Sequence, residues 1–140
     1  MRLPDPDVPP DERLYRSFAP ARRARDAEHL LPEAVDLPST SCNRARYAQP
    51  ESVLVSARPL DTGIAWVCGG DLPPTSRSPG GVLYGWRVDD VPLDDNDAHA
   101  EVRLLRDGAY VPGHRPASKL YQLRLREELA LRFRVVHAPR

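Results

Sequence analysis

The residues of this chain that can do chemistry are few and widely spaced. His99 lies near the end of its most unusual stretch, Asp94-Asp95-Asn96-Asp97-Ala98-His99-Ala100-Glu101. Asp95, Asp97, His99 and Glu101 are donors of the kind that hold a hard divalent cation or move a proton. A calcium loop also needs a Gly at its sharp turn and a bidentate Glu at a set distance, and neither is present. The nuclease pattern of a carboxylate followed by Glu-x-Lys fails at Glu101-Val102-Arg103, where Arg stands in place of Lys. The stretch is therefore expected to be a solvated acidic turn before a strand, with His99 and Glu101 on one strand face. His114, in Pro112-Gly113-His114-Arg115-Pro116, is a candidate partner for His99. Two imidazoles can trade a proton near neutral pH, one as base and one as acid, as in metal-independent ribonucleases. Arg115 would then meet phosphate.

Pro38-Ser39-Thr40-Ser41, with Arg16 upstream, is the second candidate. It resembles the ADP-ribosyltransferase pattern, in which an Arg on a first strand and a Ser-Thr-Ser on a later one hold the nicotinamide cofactor. That family's catalytic Glu stands in a Glu-x-Glu or Gln-x-Glu setting, which has no clean counterpart here; Glu51 has a different context. The competing expectation is that Ser39 or Ser41 caps a helix or turn. Cys42, Cys68, His99 and His114 are zinc-ligand types, but each is at least fifteen residues from the next, and structural zinc sites use close pairs. No metal and no resident cofactor is expected. Arg22, Arg23 and Arg25, with Asn43-Arg44-Ala45-Arg46-Tyr47, could contact phosphate while Tyr47 stacks on a base. Asp26, Glu28, Glu33, Asp36 and Glu51 dilute that charge and favour an ion-paired surface.

The elements that must position these groups belong to a chain of 140 residues, the size of one domain. Aromatic residues are only 6%, so Leu, Val and Ala must build most of the core. Sixteen Pro residues favour short elements and many loops. The formal net charge is zero, with 20 basic residues of which Lys119 is the one Lys. That balance argues against a strongly electrostatic nucleic-acid binder. No apolar run approaches the ~18 residues of a membrane span, and no secretory leader follows Met1. A cytoplasmic protein with reduced thiols is expected.

Residues 1–11 read as a flexible Pro- and Asp-rich arm, and 12–140 as one α+β domain with a short mixed or antiparallel sheet, a few short helices and long Pro-rich loops. Within it, 12–18 reads as a strand, with a short helix fitting nearly as well, 19–31 as a solvated helix ended by Pro32, and 32–50 as irregular. Pro50 opens a short helix, and 64–68 is a buried strand. After a loop over 69–81 come strands at 82–88 and 98–106, separated by an acidic loop at 89–97. Asp107-Gly108 signals a tight turn into a short return arm at 109–111. Tyr121, Leu125 and Leu129 recur every fourth residue and favour a helix over 117–129, followed by a strand over 131–137, while the alternation of Leu123, Leu125, Leu129, Leu131, Phe133 and Val135 also suits strands throughout.

Asp11-Glu12-Arg13-Leu14-Tyr15-Arg16, Pro38-Ser39-Thr40-Ser41 and Pro92-Leu93-Asp94-Asp95-Asn96-Asp97-Ala98-His99-Ala100 resemble three boxes of a group of small, uncharacterised bacterial proteins. Those boxes read D-E-x-L-Y-R, P-S-S and P-L-x-x-N-x-A-H-A; here Thr40 departs from the second. The resemblance implies a bacterial cytoplasmic setting and no settled activity. It marks Arg16, Ser39, Asn96 and His99. Three functional readings follow. The first is a non-enzymatic interaction or accessory module with a protein partner. The second is a small enzyme on a phosphate-containing substrate, RNA or a nucleotide, nuclease-like or ADP-ribosyltransferase-like. There His99 and His114 would be catalytic, and Arg16, Ser39, Ser41, Arg44, Asn96 and Arg115 would hold the ligand. The third is a nucleic-acid-binding module without chemistry.

Overall fold

The computed structural model describes residues 2–24, 26, 28–55, 61, 63–113 and 118–137. His114 and Arg115, and hence the proposed imidazole pair, lie outside them. The described residues form one curled, antiparallel sheet of eight strands. These are β1 (Arg13–Phe18), β2 (Ser39–Arg44), β3 (Gly63–Cys68), β4 (Ser76–Arg77), β5 (Leu83–Asp90), β6 (His99–Arg106), β7 (Ala109–Tyr110) and β8 (Arg134–His137). Their order is β4-β5-β6-β2-β1-β3-β8, with β7 beside β6. The α-helices are α1 (Pro50–Val55) and α2 (Lys119–Ala130). The expected α+β architecture is thus overturned: the molecule is mostly sheet.

Two segments account for the difference. Residues 39–44 were expected to be irregular but alternate between faces as β2, burying Thr40, Cys42 and Arg44 while Ser39, Ser41 and Asn43 turn outward. Polar residues at every second position obscure that period, because two of the three buried side chains are themselves polar. Residues 19–31 do not form the expected helix. Pro20–Arg22 makes a single 3-10 turn, and the backbone then doubles back, with Ala24 N–H donating to His29 C=O at 2.7 Å and Leu31 N–H to Arg22 C=O at 2.6 Å. Asp26 accepts from the backbone N–H groups of Glu28 and His29. A short carboxylate that bonds its own following backbone competes with helix formation.

Other elements follow local chemistry. Ser118 caps α2 by accepting from Tyr121 N–H, and Tyr121, Leu125 and Leu129 are the buried stripe. Asp107 and Gly108 both take positive φ, 48° and 83°, which a two-residue hairpin turn between β6 and β7 requires.

The sheet has two differently furnished faces. Leu14, Phe18, Cys42, Val67 and Val102 meet Leu129, Ala130 and Phe133 on the α2 face, and Leu104 meets Tyr121 and Leu125 there. On the opposite face Tyr15 and Ile64 pack with Val53 of α1. Gly63 faces Phe18 across the β1–β3 pair, and a Cβ at Gly63 would lie 2.5 Å from Phe18 Cζ. Gly63→Ala is therefore expected to overpack the core and destabilise the fold by about 1–3 kcal/mol, read from the urea midpoint.

The segment before β1 is held at both ends. Arg2 binds Asp90, Asp5 N–H donates to Asp90 Oδ2 at 2.6 Å, and Glu12 binds Arg44. No helix among the described residues is long and apolar enough to cross a membrane.

Candidate functional site

The pairing of β2 with β6 assembles the candidate site. Ser39 lies opposite Arg103, Ser41 opposite Glu101 and Asn43 opposite His99. Alternation along each strand puts all six side chains on the α1 face, away from Cys42, Ala100 and Val102. Diagonal neighbours on one face of an antiparallel pair are within reach of each other. Two such diagonals carry the site. Ser39 Oγ donates to Glu101 Oε1 at 2.5 Å, and Ser41 Oγ lies 3.3 Å from His99 Nε2.

His99 is oriented from behind. Its Nδ1 is 2.8 Å from the Val91 carbonyl oxygen, which only accepts, so Nδ1 carries a proton. In the neutral imidazole Nε2 then holds the lone pair and faces the Ser41 hydroxyl. This is a hydroxyl, a base and an orienting group in sequence, the arrangement that activates a hydroxyl or takes its proton.

Glu101 is held by Ser39 on one oxygen and by Arg103 on the other, with Arg103 Nη2 at 2.8 Å from Oε2. Partial burial pushes its carboxyl up, but the Ser39 hydroxyl and the Arg103 guanidinium outweigh that, and the pKa falls below the ordinary 4.5. Ser39→Ala removes one of these supports. Its expected result is a Glu101 titration midpoint shifted upward toward 4.5, followed by carboxyl-carbon NMR. The ladder continues into β5: Arg103 Nη1 donates to Asp89 at 2.8 Å and Arg87 Nε to Asp89 at 2.7 Å. Asp89 and Asp90, read from sequence as part of an acidic loop, end β5 instead. A cavity of about 330 Å³ adjoins the ladder between residues 4–6 and the end of β5, with Asp89 and Arg103 in its wall.

Asn96 sets the turn that delivers His99. Its amide donates to Asn43 Oδ1 at 2.7 Å, and its own Oδ1 accepts from Ala98 N–H. Asp94, Asp95 and Asp97 are exposed around it. Among the described residues no three His, Cys, Asp or Glu side chains are placed to hold a metal ion. Cys42 is fully buried on the α2 face, its thiol pushed up to about 12 by burial, while His99 is on the opposite face. The mixed zinc set is therefore not assembled by Cys42 and His99.

Arg16 and Arg44 are not on the Ser39–Glu101 face. Arg16 points to the α2 face with Leu14 and Phe18, where its Nε donates to Ala34 C=O at 2.7 Å, its Nη1 to Ser41 C=O at 2.8 Å and its Nη2 to Asp36 at 3.0 Å. It supports the Ser41 main chain from behind. Arg44 is wholly buried. Its Nε and Nη2 grip both oxygens of Glu12, and its Nη1 lies 3.2 Å from Asp90 Oδ1 without the alignment of a hydrogen bond. Neither is a free phosphate donor. The stacking surface expected of Tyr47 is covered by Arg2, whose guanidinium carbon is 3.8 Å from the ring centroid.

Arg16, Ser39, Ser41, Asn96 and His99 were legible as residues to watch, and the structure gathers the last four around β2 and β6. Sequence offers Glu101 as a metal ligand, a proton carrier or a nuclease carboxylate on the His99 face, but not as the partner of Ser39, and it offers Arg103 only as the residue that fails the nuclease pattern. Their period-two spacing from His99 was the available signal. Comparison of the chain with protein-family models, curated proteins and solved structures found no match.

Proposed function

We propose that this protein is a small enzyme acting on a phosphate-containing nucleotide, by group transfer of the kind the ADP-ribosyltransferase resemblance implies. The observation that carries the reading is the 2.5 Å hydrogen bond from Ser39, the first residue of the Ser-Thr-Ser triplet, to Glu101. A carboxylate held ionised on an open sheet face stabilises positive charge developing at a sugar carbon. In that role Glu101 faces the ribose as the bond from C1′ to a departing nicotinamide breaks, both electrons leaving with the ring nitrogen. The acceptor's lone pair forms the new bond to C1′, and its proton passes to His99 Nε2. Ser39 positions Glu101, and Ser41 positions the imidazole. His99 takes the place, two residues before Glu101, where the transferase pattern has Glu or Gln. Arg16 departs from the pattern, since it braces Ser41 from the other face.

The test is incubation of the purified chain with nicotinamide dinucleotide, a nucleotide panel and RNA, with products read by mass spectrometry. Release of nicotinamide that needs Glu101 supports the proposal. RNA cleavage that needs His99 and tolerates Glu101→Gln supports a nuclease instead. No product from any substrate returns the chain to an accessory module.

A further inference from the structure

We infer that Asp90, the Asp97 carbonyl and the Tyr47 ring form a guanidinium-recognition site, filled here by Arg2 and able to take an arginine of a partner polypeptide in its place. This inference is independent of the proposed reaction. The seat satisfies a planar fork on every side. Arg2 Nη1 and Nη2 engage the two oxygens of Asp90, the second at 2.7 Å. Nε and Nη2 both donate to the Asp97 carbonyl, at 3.1 and 2.6 Å. The Tyr47 ring closes the face at 3.8 Å. Bidentate carboxylate, a backbone acceptor and an aromatic plate together fit guanidinium and not ammonium.

The walls of this seat do not depend on Arg2. Asp90 is completely buried beside Arg44 and sits at the end of β5. The Asp97 turn is tied to β2 by the Asn96–Asn43 hydrogen bond. Tyr47 is placed by the turn after β2, its N–H donating to Arg44 C=O at 3.0 Å. The occupant, by contrast, sits ahead of the part of the segment that packs, where Val8 meets the core and Pro10 C=O accepts from Gly70 N–H: Leu3 is 87% exposed, and Pro4 and Pro6 face outward. An element held by a few polar contacts opens at small free-energy cost, so its guanidinium can be exchanged for another.

The experiment uses the full chain carrying Arg2→Ala. The probes are ethylguanidinium, the peptide Arg-Leu-Pro-Asp-Pro-Asp and the same peptide with Lys first, followed by amide shifts of Tyr47 and Asp97. Both guanidinium probes are expected to bind the variant saturably and at least tenfold more tightly than wild type, the Lys peptide at least tenfold more weakly. Adding Tyr47→Leu should weaken binding severalfold. A folded Arg2→Ala chain that binds neither guanidinium probe, or binds the Lys peptide equally well, overturns the inference. If Arg2→Ala does not fold, wild type is titrated with the Arg peptide. Loss of the Arg2–Tyr47 nuclear Overhauser contact at millimolar peptide then supports the site, and its persistence refutes it.

Discussion

Arg44→Met is expected to destabilise the fold by about 3–5 kcal/mol, the largest effect of any single substitution described here. The guanidinium is wholly buried between Glu12 and Asp90, with Asp5 3.6 Å from its Nη1. Its pKa is raised, first by the hydrogen bonds it donates to Glu12, so it is charged at every accessible pH. Removing it strands carboxylates that have little access to water, Glu12 above all, since Asp90 keeps Arg2 and the Asp5 N–H. A urea titration gives the magnitude. Adding Glu12→Gln should recover part of the loss, because the cost arises from the unpaired charge and not from lost packing.

The same cluster sets the acid sensitivity of wild type. Burial alone would raise the Asp90 carboxyl, but Arg2, the Asp5 N–H and Arg44 pull it from the ordinary 3.8 to about 2. A carboxyl with a depressed folded-state pKa stabilises the fold fully above its ordinary value. That contribution, about 2 kcal/mol, is lost as pH falls from about 3.8 to about 2. Arg44→Met should flatten this acid limb as well as lower the plateau. An unchanged limb would show that Arg2 and Asp5 hold Asp90 unaided.

Glu101→Gln is expected to lower the proposed transfer rate roughly 10²–10³-fold, the scale of removing one preorganised electrostatic group from a reacting centre. Stability should change by about 1 kcal/mol, since one partly buried ion pair is lost while the ladder from Arg103 to Asp89 and Arg87 remains. Gln keeps an oxygen to accept from Ser39 and loses only the charge. A rate loss out of proportion to the stability loss therefore assigns the carboxylate to the chemistry. A purely structural Glu101 would give the reverse split, a lower urea midpoint with an unchanged rate constant. Comparing single-turnover rates with denaturation midpoints for the two proteins decides between them.

Much of the molecule follows from local pattern. The alternation in β5 and β6, the fourfold stripe of α2, the Pro50 start of α1 and the Asp107-Gly108 turn each act over a few residues, and each formed where the sequence placed it, within a residue or two. Side-chain type also limited the chemistry to serine hydroxyls, the His99 and His114 imidazoles, a carboxylate run and arginines. Long-range pairing decided the rest. Ser39 and Glu101 are 62 residues apart, and Ser41 and His99 are 58 apart. Only the position of β2 beside β6, and its register, brings them together. A shift of one residue would turn Ser39 and Ser41 into the core and break both hydrogen bonds. Burial likewise depends on what lies across the sheet. Arg44 follows a polar triplet and looks solvated in sequence, yet three carboxylates from two distant segments enclose it. Sheet register and charge burial are properties of the assembled fold, because the groups that satisfy each residue come from elsewhere in the chain.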